Sequence, residues 1–307
     1  MKFVSCNLCG ADDCRELYPS TLNTNGHLLG GSAFLCTSPD YGAHYRIVQC
    51  NQCGFIYANP HADPKDVLKA YEDVVDPVYL QEREGREYTF RKHLGALHSI
   101  TGEPNGRKLL DVGAYIGVFV ETARQMGWEA EGIEPSTWAV AHDRENGLPV
   151  KQGTLASGGF RDESFDVITM WDVIEHFDNP LSEINCAFRL LKPGGVMVIH
   201  TIDVGSVTAR MMGAKWPFLM EMHIMFFSRA TLRKMLGRAG FVFISDHIQG
   251  RYLRLGYLAG RVTAAFGDVL GKPLERMVSA LKIAGKPVPI NTLDLFTVYA
   301  RKPAGSE

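Results

Sequence analysis

Residues 109–119 read LLDVGAYIGVF, and a second acidic strand end, Glu134, follows in GIEPS. The first string is an apolar strand that ends in Asp111 and then passes through Gly113, Ala114 and Gly117 into a helix start. Gly113 can take backbone conformations that other residues resist. Its missing side chain also lets a ligand approach the main chain. Glu134 ends the string WEAEGIE, where a carboxylate can accept hydrogen bonds from both hydroxyls of a ribose. Together these residues predict a nucleoside site at the carboxyl ends of parallel strands. The glycine spacing narrows the ligand. A dinucleotide site uses G-x-G-x-x-G, whose helix amides hold a pyrophosphate. Here the spacing is G-x-x-x-G, without the middle glycine. A nicotinamide dehydrogenase is the functional rival, and an ordinary strand–turn–helix the bland one.

Four of the seven cysteines are arranged as two knuckles, Cys6-Asn-Leu-Cys9-Gly10 and Cys50-Asn-Gln-Cys53-Gly54. Two thiolates in each converge while the glycine relieves the turn. Together they make a four-sulfur tetrahedral set suited to structural Zn2+. The alternatives are two unrelated reduced pairs or a redox C-x-x-C, which lacks a thioredoxin-like strand–helix context here. The loop from Ser20 to Gly42 must bulge out between the knuckles. Cys14, Cys36 and Cys186 are unpaired by spacing, and Cys186 reads as a small core residue.

The elements that must position these groups alternate. Strands are predicted at about 108–113, 129–134, 148–152, 165–171, 195–202, 241–249 and 293–301, and helices at about 117–127, 136–146, 181–191 and 229–239. Such alternation means an α/β fold with a mostly parallel sheet covered on both faces. Residues 1–60 form the zinc-binding module, 61–105 a helical linker and first helix, and 106–307 the main domain, with a helical insertion at about 251–291. The chain of 307 residues is 46% hydrophobic, enough for one large core and a small appendage, and its net charge of −2 sets up no field for nucleic acid. No apolar run reaches spanning length and no apolar signal region opens the chain, so a cytoplasmic protein is expected. From Arg251 to Glu307 nine Lys and Arg stand against four Asp and Glu. One reading is an amphipathic basic segment on a membrane surface or against a phosphorylated substrate. The other is a packed helical cover with a solvated edge.

The string DVGxxxG with its downstream Glu134, the order of strands and LLKPGG at 190–195 resemble the class I S-adenosylmethionine-dependent methyltransferases. The resemblance covers about residues 80–301. It implies a Rossmann-like sheet whose last strand is antiparallel. It also implies S-adenosylmethionine held by Asp111, Gly113, Ala114 and Gly117 at its amino-acid end and by Glu134, followed by Pro135, at its ribose. Thr154 and Leu155 then stand at the adenine edge, and Trp171 and Asp172 line the methionine end. An acidic residue common in the adenine turn is absent, so main-chain amides and Leu155 are expected to serve there.

The fourth strand runs into MWDVIEHF. If the turn is helical, Asp172, Glu175 and His176 share one face at i, i+3 and i+4. Three such ligands can hold a divalent ion such as Mg2+, and the stretch is similar to ubiquinone-type O-methyltransferases that use an acid–acid–His cluster. The alternative makes Glu175 a brace and His176 a pocket wall. His223 lies before a helix that Ser228 would cap, in a strip rich in Met and aromatic residues. That strip is either a lid over an apolar acceptor or a buried loop. His176, His223 and Glu175 are the catalytic candidates, ahead of His200 and Asp203. A cysteine-knuckle module before this domain resembles bacterial sugar and surface-polysaccharide methyltransferases. That implies a saccharide, nucleotide sugar or lipid-linked glycan acceptor, with O-methylation favoured because the further C-terminal domain of the C-methylating enzymes is lacking. An rRNA or tRNA methyltransferase is the alternative, opposed by three Lys and Arg against four Asp and Glu in residues 1–60. A noncatalytic scaffold on the same fold is a third reading. The sequence leaves oligomeric state open.

Overall fold

The computed structural model describes residues 1–22, 35 and 41–305. Most of the loop expected to bulge between the knuckles, with Cys36, lies outside the described residues. The strands are β1 (Cys14–Tyr18), β2 (Ile47–Cys50), β3 (Ile56–Ala58), β4 (Lys108–Val112), β5 (Glu129–Glu134), β6 (Val150–Gln152), β7 (Phe165–Trp171), β8 (Leu191–Ile202), β9 (Met225–Phe226), β10 (Val242–Ile248), β11 (Arg251–Arg254), β12 (Pro287–Ile290) and β13 (Leu295–Arg301). The helices are α1 (Pro64–Glu72), α2 (Pro77–Gln81), α3 (Arg83–Thr101), α4 (Val118–Gln125), α5 (Thr137–Glu145), α6 (Pro180–Leu190), α7 (Val207–Met212), α8 (Arg229–Arg238), α9 (Leu255–Phe266) and α10 (Asp268–Ala280).

Seven strands form the main sheet in the order β10-β13-β8-β7-β4-β5-β6. All neighbours are parallel from β8 to β6, and β13 lies antiparallel between β8 and β10. This is the Rossmann-like order, with its last strand antiparallel, that the resemblance implies. Successive strand residues point to opposite faces. Leu110, Ile168, Met197 and Val298 therefore build one core, while Leu109, Val167, Val198 and Tyr299 build the other with α3 and α4. The chain leaves β4 for β5 and β6 on one side and returns through β7 on the other. The crevice beyond the ends of β4 and β7 is thus a topological switch point, where ligands of such sheets bind. Local capping fixes the helices around it: Ser136 caps α5, Asn179 with Pro180 opens α6, and Ser228 with Thr231 makes a reciprocal capping box on α8.

The cysteine-bearing segment forms a second sheet, β1-β2-β3-β9. Its last strand comes from the Met- and aromatic-rich strip, pairing Ile56 with Phe226 and Tyr57 with Met225. Phe55, Tyr57 and Cys6 share a core with one face of the main sheet.

The insertion departs from the all-helical expectation. Its two ends, RYLR and PVPI, pair as the antiparallel strands β11 and β12, and α9 and α10 lie between them. The physical reason is anchorage: the Tyr252 amide donates to Thr89 Oγ1 at 2.8 Å, and Arg254 Nε meets Glu82 Oε1 at 2.7 Å, which holds β11 extended across α3. Glu82 is buried, so removing its partner leaves a buried charge. Arg254→Ala is expected to lower stability by about 3–5 kcal/mol, less whatever water screens at the partly exposed guanidinium. Urea unfolding would check it.

Candidate functional site

The crevice at the switch point opens into a cavity of about 650 Å³. Asp111, Gly113, Ala114, Glu134, Pro135, Thr154, Leu155, Trp171, Asp172, Glu175, His176 and His223 all line it. Of the residues named in advance for this site, Gly117 and the weaker candidates His200 and Asp203 stand outside the lining. Gly117 opens α4 with φ 63°, and a Cβ there would lie 2.6 Å from Leu148 Cδ1. Its role is the tightness of the turn. Gly113 has φ 73°, and a Cβ there would lie 2.6 Å from Val173 Cγ2.

The amides of the turn are already committed. Gly113 and Ala114 donate to the Ile133 carbonyl, and Gly117 donates to Ala114. Tyr115 N donates to Glu134 Oε2 at 2.9 Å and Ser136 N to Glu134 Oε1 at 2.8 Å. The four turn amides of Gly113, Ala114, Tyr115 and Gly117 are therefore not free for a pyrophosphate, which argues against the dinucleotide rival. The same two bonds fix the Glu134 carboxylate while leaving further lone pairs on each oxygen for hydroxyl donors. This geometry fits a ribose. Burial pushes Glu134 up to about 7, opposed by those two amides. Burial likewise pushes Asp111 up to about 8, against the bond from Thr169 Oγ1 at 2.6 Å.

At the adenine edge the Thr154 amide is bound to Ser157 Oγ at 2.9 Å, and the buried Leu155 side chain lines the cavity.

The acid–acid–His face also differs. Asp172 sits at φ 55° and only Ile174–His176 turn, as a 3-10 helix, so the α-helical spacing from Asp172 does not form. Asp172 faces Arg251 (3.4 Å) and His200 (3.8 Å) instead. Burial would raise its pKa, but Arg251 and then His200 hold it down at about 2. His223 takes its place in the cluster: Glu175, His176 and His223 offer ligand atoms all within 4.8 Å of one another. Each imidazole has its tautomer set by the backbone. His176 Nδ1 lies 2.8 Å from the Met222 carbonyl and 3.0 Å from the Tyr71 hydroxyl, which can accept from it, and His223 Nδ1 lies 2.8 Å from the Phe218 carbonyl. A carbonyl only accepts, so both Nδ1 atoms carry the proton and both Nε2 atoms keep a lone pair. Burial lowers both pKa values, His223 to about 3 with help from His176. Glu175 accepts from Thr201 Oγ1 at 2.8 Å, and burial followed by nearby Asp172 pushes it up to about 8. Two imidazoles and a carboxylate suit a first-row transition ion better than the Mg2+ expected from the sequence, which prefers oxygen.

Residues without a legible signal complete the wall. Arg86 stacks 3.6 Å over the Tyr79 ring, and Tyr79 meets Tyr115 edge-on at 4.4 Å. Arg251, Tyr257 and Arg261 reach in from the insertion. The strip before α8 is divided. Phe218, Met220 and Met222 line the cavity, whereas Trp216 is buried with Nε1 donating to Asp294. His200 stands behind Asp172, and Asp203 accepts from Gly205 N and Arg229 Nε outside the cavity.

The four knuckle sulfurs cluster, with Cys6 Sγ 3.4 Å from Cys53 and Cys9 Sγ 3.5 Å from Cys50. Gly10 N and Gly54 N close the two turns on the Cys6 and Cys50 carbonyls. Sulfurs around one zinc stand about 3.8 Å apart, from a Zn–S length of about 2.3 Å, so a small expansion accommodates the ion. Burial pushes the Cys6 and Cys53 thiols up. Cys50, though also disfavoured by burial, is brought down to about 7 by the Cys53 and Gln52 amides.

A family profile described as a methyltransferase domain matches residues 83–246, over half of the chain. The ubiquinone biosynthesis O-methyltransferase of Pseudomonas fluorescens (strain SBW25) is 34% identical over 105 residues, which cover 32% of this chain and 45% of that protein. That of Methylococcus capsulatus is 34% identical over 105 residues, 32% of this chain and 44% of the relative. The match therefore spans less than half the length of those relatives. Among solved structures, Haemonchus contortus phosphoethanolamine N-methyltransferase 2 in complex with S-adenosyl-L-methionine gives a TM-score of 0.46 at 17% identity, covering 72% of this chain and 56% of that one. An S-adenosylmethionine-dependent methyltransferase of Mesorhizobium loti gives 0.44 at 17%, covering 67% and 96%.

The buried groups give the free protein a pH signature. Asp111, Glu134 and Glu175 hold protons more tightly folded than unfolded. Their contribution is complete below about pH 4 and is lost as pH rises through 7 and 8. His200 and His223 act in the other direction, losing theirs as pH falls from 6.5 through 4 and 3. Between pH 6.5 and about 8 the carboxyl trend dominates. The melting temperature is expected to fall across that interval, and less so in Asp111→Asn. A flat profile in scanning calorimetry would contradict these protonation states.

Proposed function

The chain belongs to the methyltransferase-domain family, and from that membership we propose that it transfers the methyl group of S-adenosylmethionine to a hydroxyl of a small acceptor. The cofactor supplies a methyl already activated on a sulfonium, so the protein's task is to bind, orient and remove a proton. Asp111, Gly113 and Ala114 are proposed to face its amino-acid end, Glu134 its ribose hydroxyls, Leu155 its adenine, and Trp171 and Asp172 the methionine end. The observation that carries oxygen as acceptor atom is the His176–His223 pair. Both rings are neutral at ordinary pH, both present an Nε2 lone pair, and their centroids are 4.9 Å apart on the cavity wall. A hydroxyl set between them has a base without any charged group being buried. The names of the ubiquinone O-methyltransferase relatives agree with oxygen. A second reading, favoured by the same cluster with Glu175, is that a divalent ion sits there and supplies Lewis acidity.

For the acceptor we infer a saccharide, nucleotide sugar or lipid-linked glycan. This rests on the cysteine knuckles joined to the methyltransferase domain, and Zn2+ is proposed for Cys6, Cys9, Cys50 and Cys53.

Glu134→Ala is expected to weaken S-adenosylmethionine binding by about 1–3 kcal/mol in calorimetry. Unchanged affinity would remove Glu134 from the ribose. Binding to wild type near pH 7 is expected to release protons, since hydroxyl donors favour the ionised Glu134 carboxylate and a cationic group beside Asp111 favours its ionisation, and Glu134→Gln should reduce that release. With acceptors screened from nucleotide sugars and glycans, His176→Ala and His223→Ala should each lower kcat by roughly 10²–10⁴ while leaving cofactor affinity intact. Loss restored by added divalent ion would favour the metal reading instead.

A further inference from the structure

Helix α10 turns one side to α9 and leaves the other bare. Gly271, Leu274, Glu275 and Val278 recur at helical spacing on the covered side, where Gly271 and Val278 are buried. A Cβ at Gly271 would overlap Thr263 of α9, at 2.0 Å. On the opposite side Val269, Leu270, Met277 and Leu281 are 85, 62, 52 and 60% exposed. At about 100° per residue these four, with Pro273 and Ala280, fall on one continuous arc, and Lys272 and Arg276 border it. A solvent-facing apolar arc of this kind calls for a covering surface.

Charge decides which surface. Arg251 and Arg261 face the cavity and Arg254 pairs with Glu82, which leaves Lys272, Arg276, Lys282 and Lys286 against Asp268 and Glu275 around α10, with Lys272 paired to Asp268. A second copy of the chain would set this basic border against itself in a two-fold contact, where like charges repel. An anionic surface is attracted by it. The helix that carries the arc packs on α9, which contributes Tyr257, Leu258 and Arg261 to the cavity wall. Beside the cavity, α7 exposes Val207 and Met211 while its Thr208 and Met212 face inward.

We propose that α10 docks on an anionic lipid surface, its apolar arc entering the headgroup region and its basic border meeting the lipid phosphates. Among the described residues no helix is long and apolar enough to cross a membrane, so the contact is peripheral. Docking goes beyond methyl transfer and does not require it. If both hold, the cavity takes its acceptor from the membrane plane.

The test is flotation of the full chain with vesicles of phosphatidylcholine alone and of phosphatidylcholine mixed with phosphatidylglycerol. The chain should float with the mixed vesicles and much less with the neutral ones, and added salt should weaken the binding. The double substitution Leu270→Glu with Met277→Glu should weaken it by at least about tenfold. Lys272→Gln and Arg276→Gln should each weaken it by about fivefold. An unchanged melting temperature will establish that the variants fold, independently of cofactor binding. The proposal is overturned by absence of binding to mixed vesicles, or by binding indifferent to the anionic lipid or to these substitutions. It is also overturned by a dimer in light scattering that the double substitution dissociates.

Discussion

Two main-chain pairings, Ile56 with Phe226 and Tyr57 with Met225, hold the cysteine-bearing sheet against the strip that carries His223. The line of bonds continues: Ala58 N donates to the Ile224 carbonyl at 2.8 Å, and Ile224 N donates to the Glu175 carbonyl at 3.0 Å. Backbone groups buried at such a junction must be paired, so the pairing fixes position and not merely proximity. It sets His223 opposite His176. Side chains reinforce it, with Tyr45 donating to Glu221, and Lys2 and Asn7 both reaching Asp178. The knuckles therefore bear on the cavity wall at a distance. They hold β2 and β3, and β3 holds the loop that completes the cavity.

Within the cavity the buried titratable groups are mostly neutral. Asp111 and Glu175 keep protons, Glu134 stands near half-protonation at neutral pH, and His176 and His223, with His200 behind Asp172, shed them, because each is cheaper to bury uncharged. Asp172 is the exception, held ionised by Arg251 from the insertion. A cation entering this space meets carboxyls ready to ionise, and the low dielectric makes each such adjustment strong. Ligand entry and proton movement are thus coupled by burial alone.

The alternation of strands and helices and the glycine turn were legible because local rules govern them: apolar runs, Gly113 and Gly117, and an acidic residue at each of two strand ends; the place of the last strand came from the resemblance. Nearly every candidate drawn from those rules lines one cavity. What failed were features set by distant partners. Asp172 takes a positive φ that its residue type does not announce. β9 has two residues, too few to leave a periodic signal. Arg86 and Arg251 are ordinary surface types until α3 and β11 cross. RYLR reads as part of a helix until Thr89 and Glu82 draw it out as a strand.

The paired stem of β11 and β12 has a consequence for how this chain can change. Its two ends leave and rejoin the body side by side, so the sheet receives the same geometry whatever lies between. The entropic cost of closing an excursion grows only slowly with its length, about 0.6 kcal/mol for each doubling. Helices α9 and α10 can therefore be lengthened, shortened or exchanged while β10 and β13 keep their register. The stem is a socket, and selection can alter what the protein presents above its cavity without reopening the problem of how its core folds.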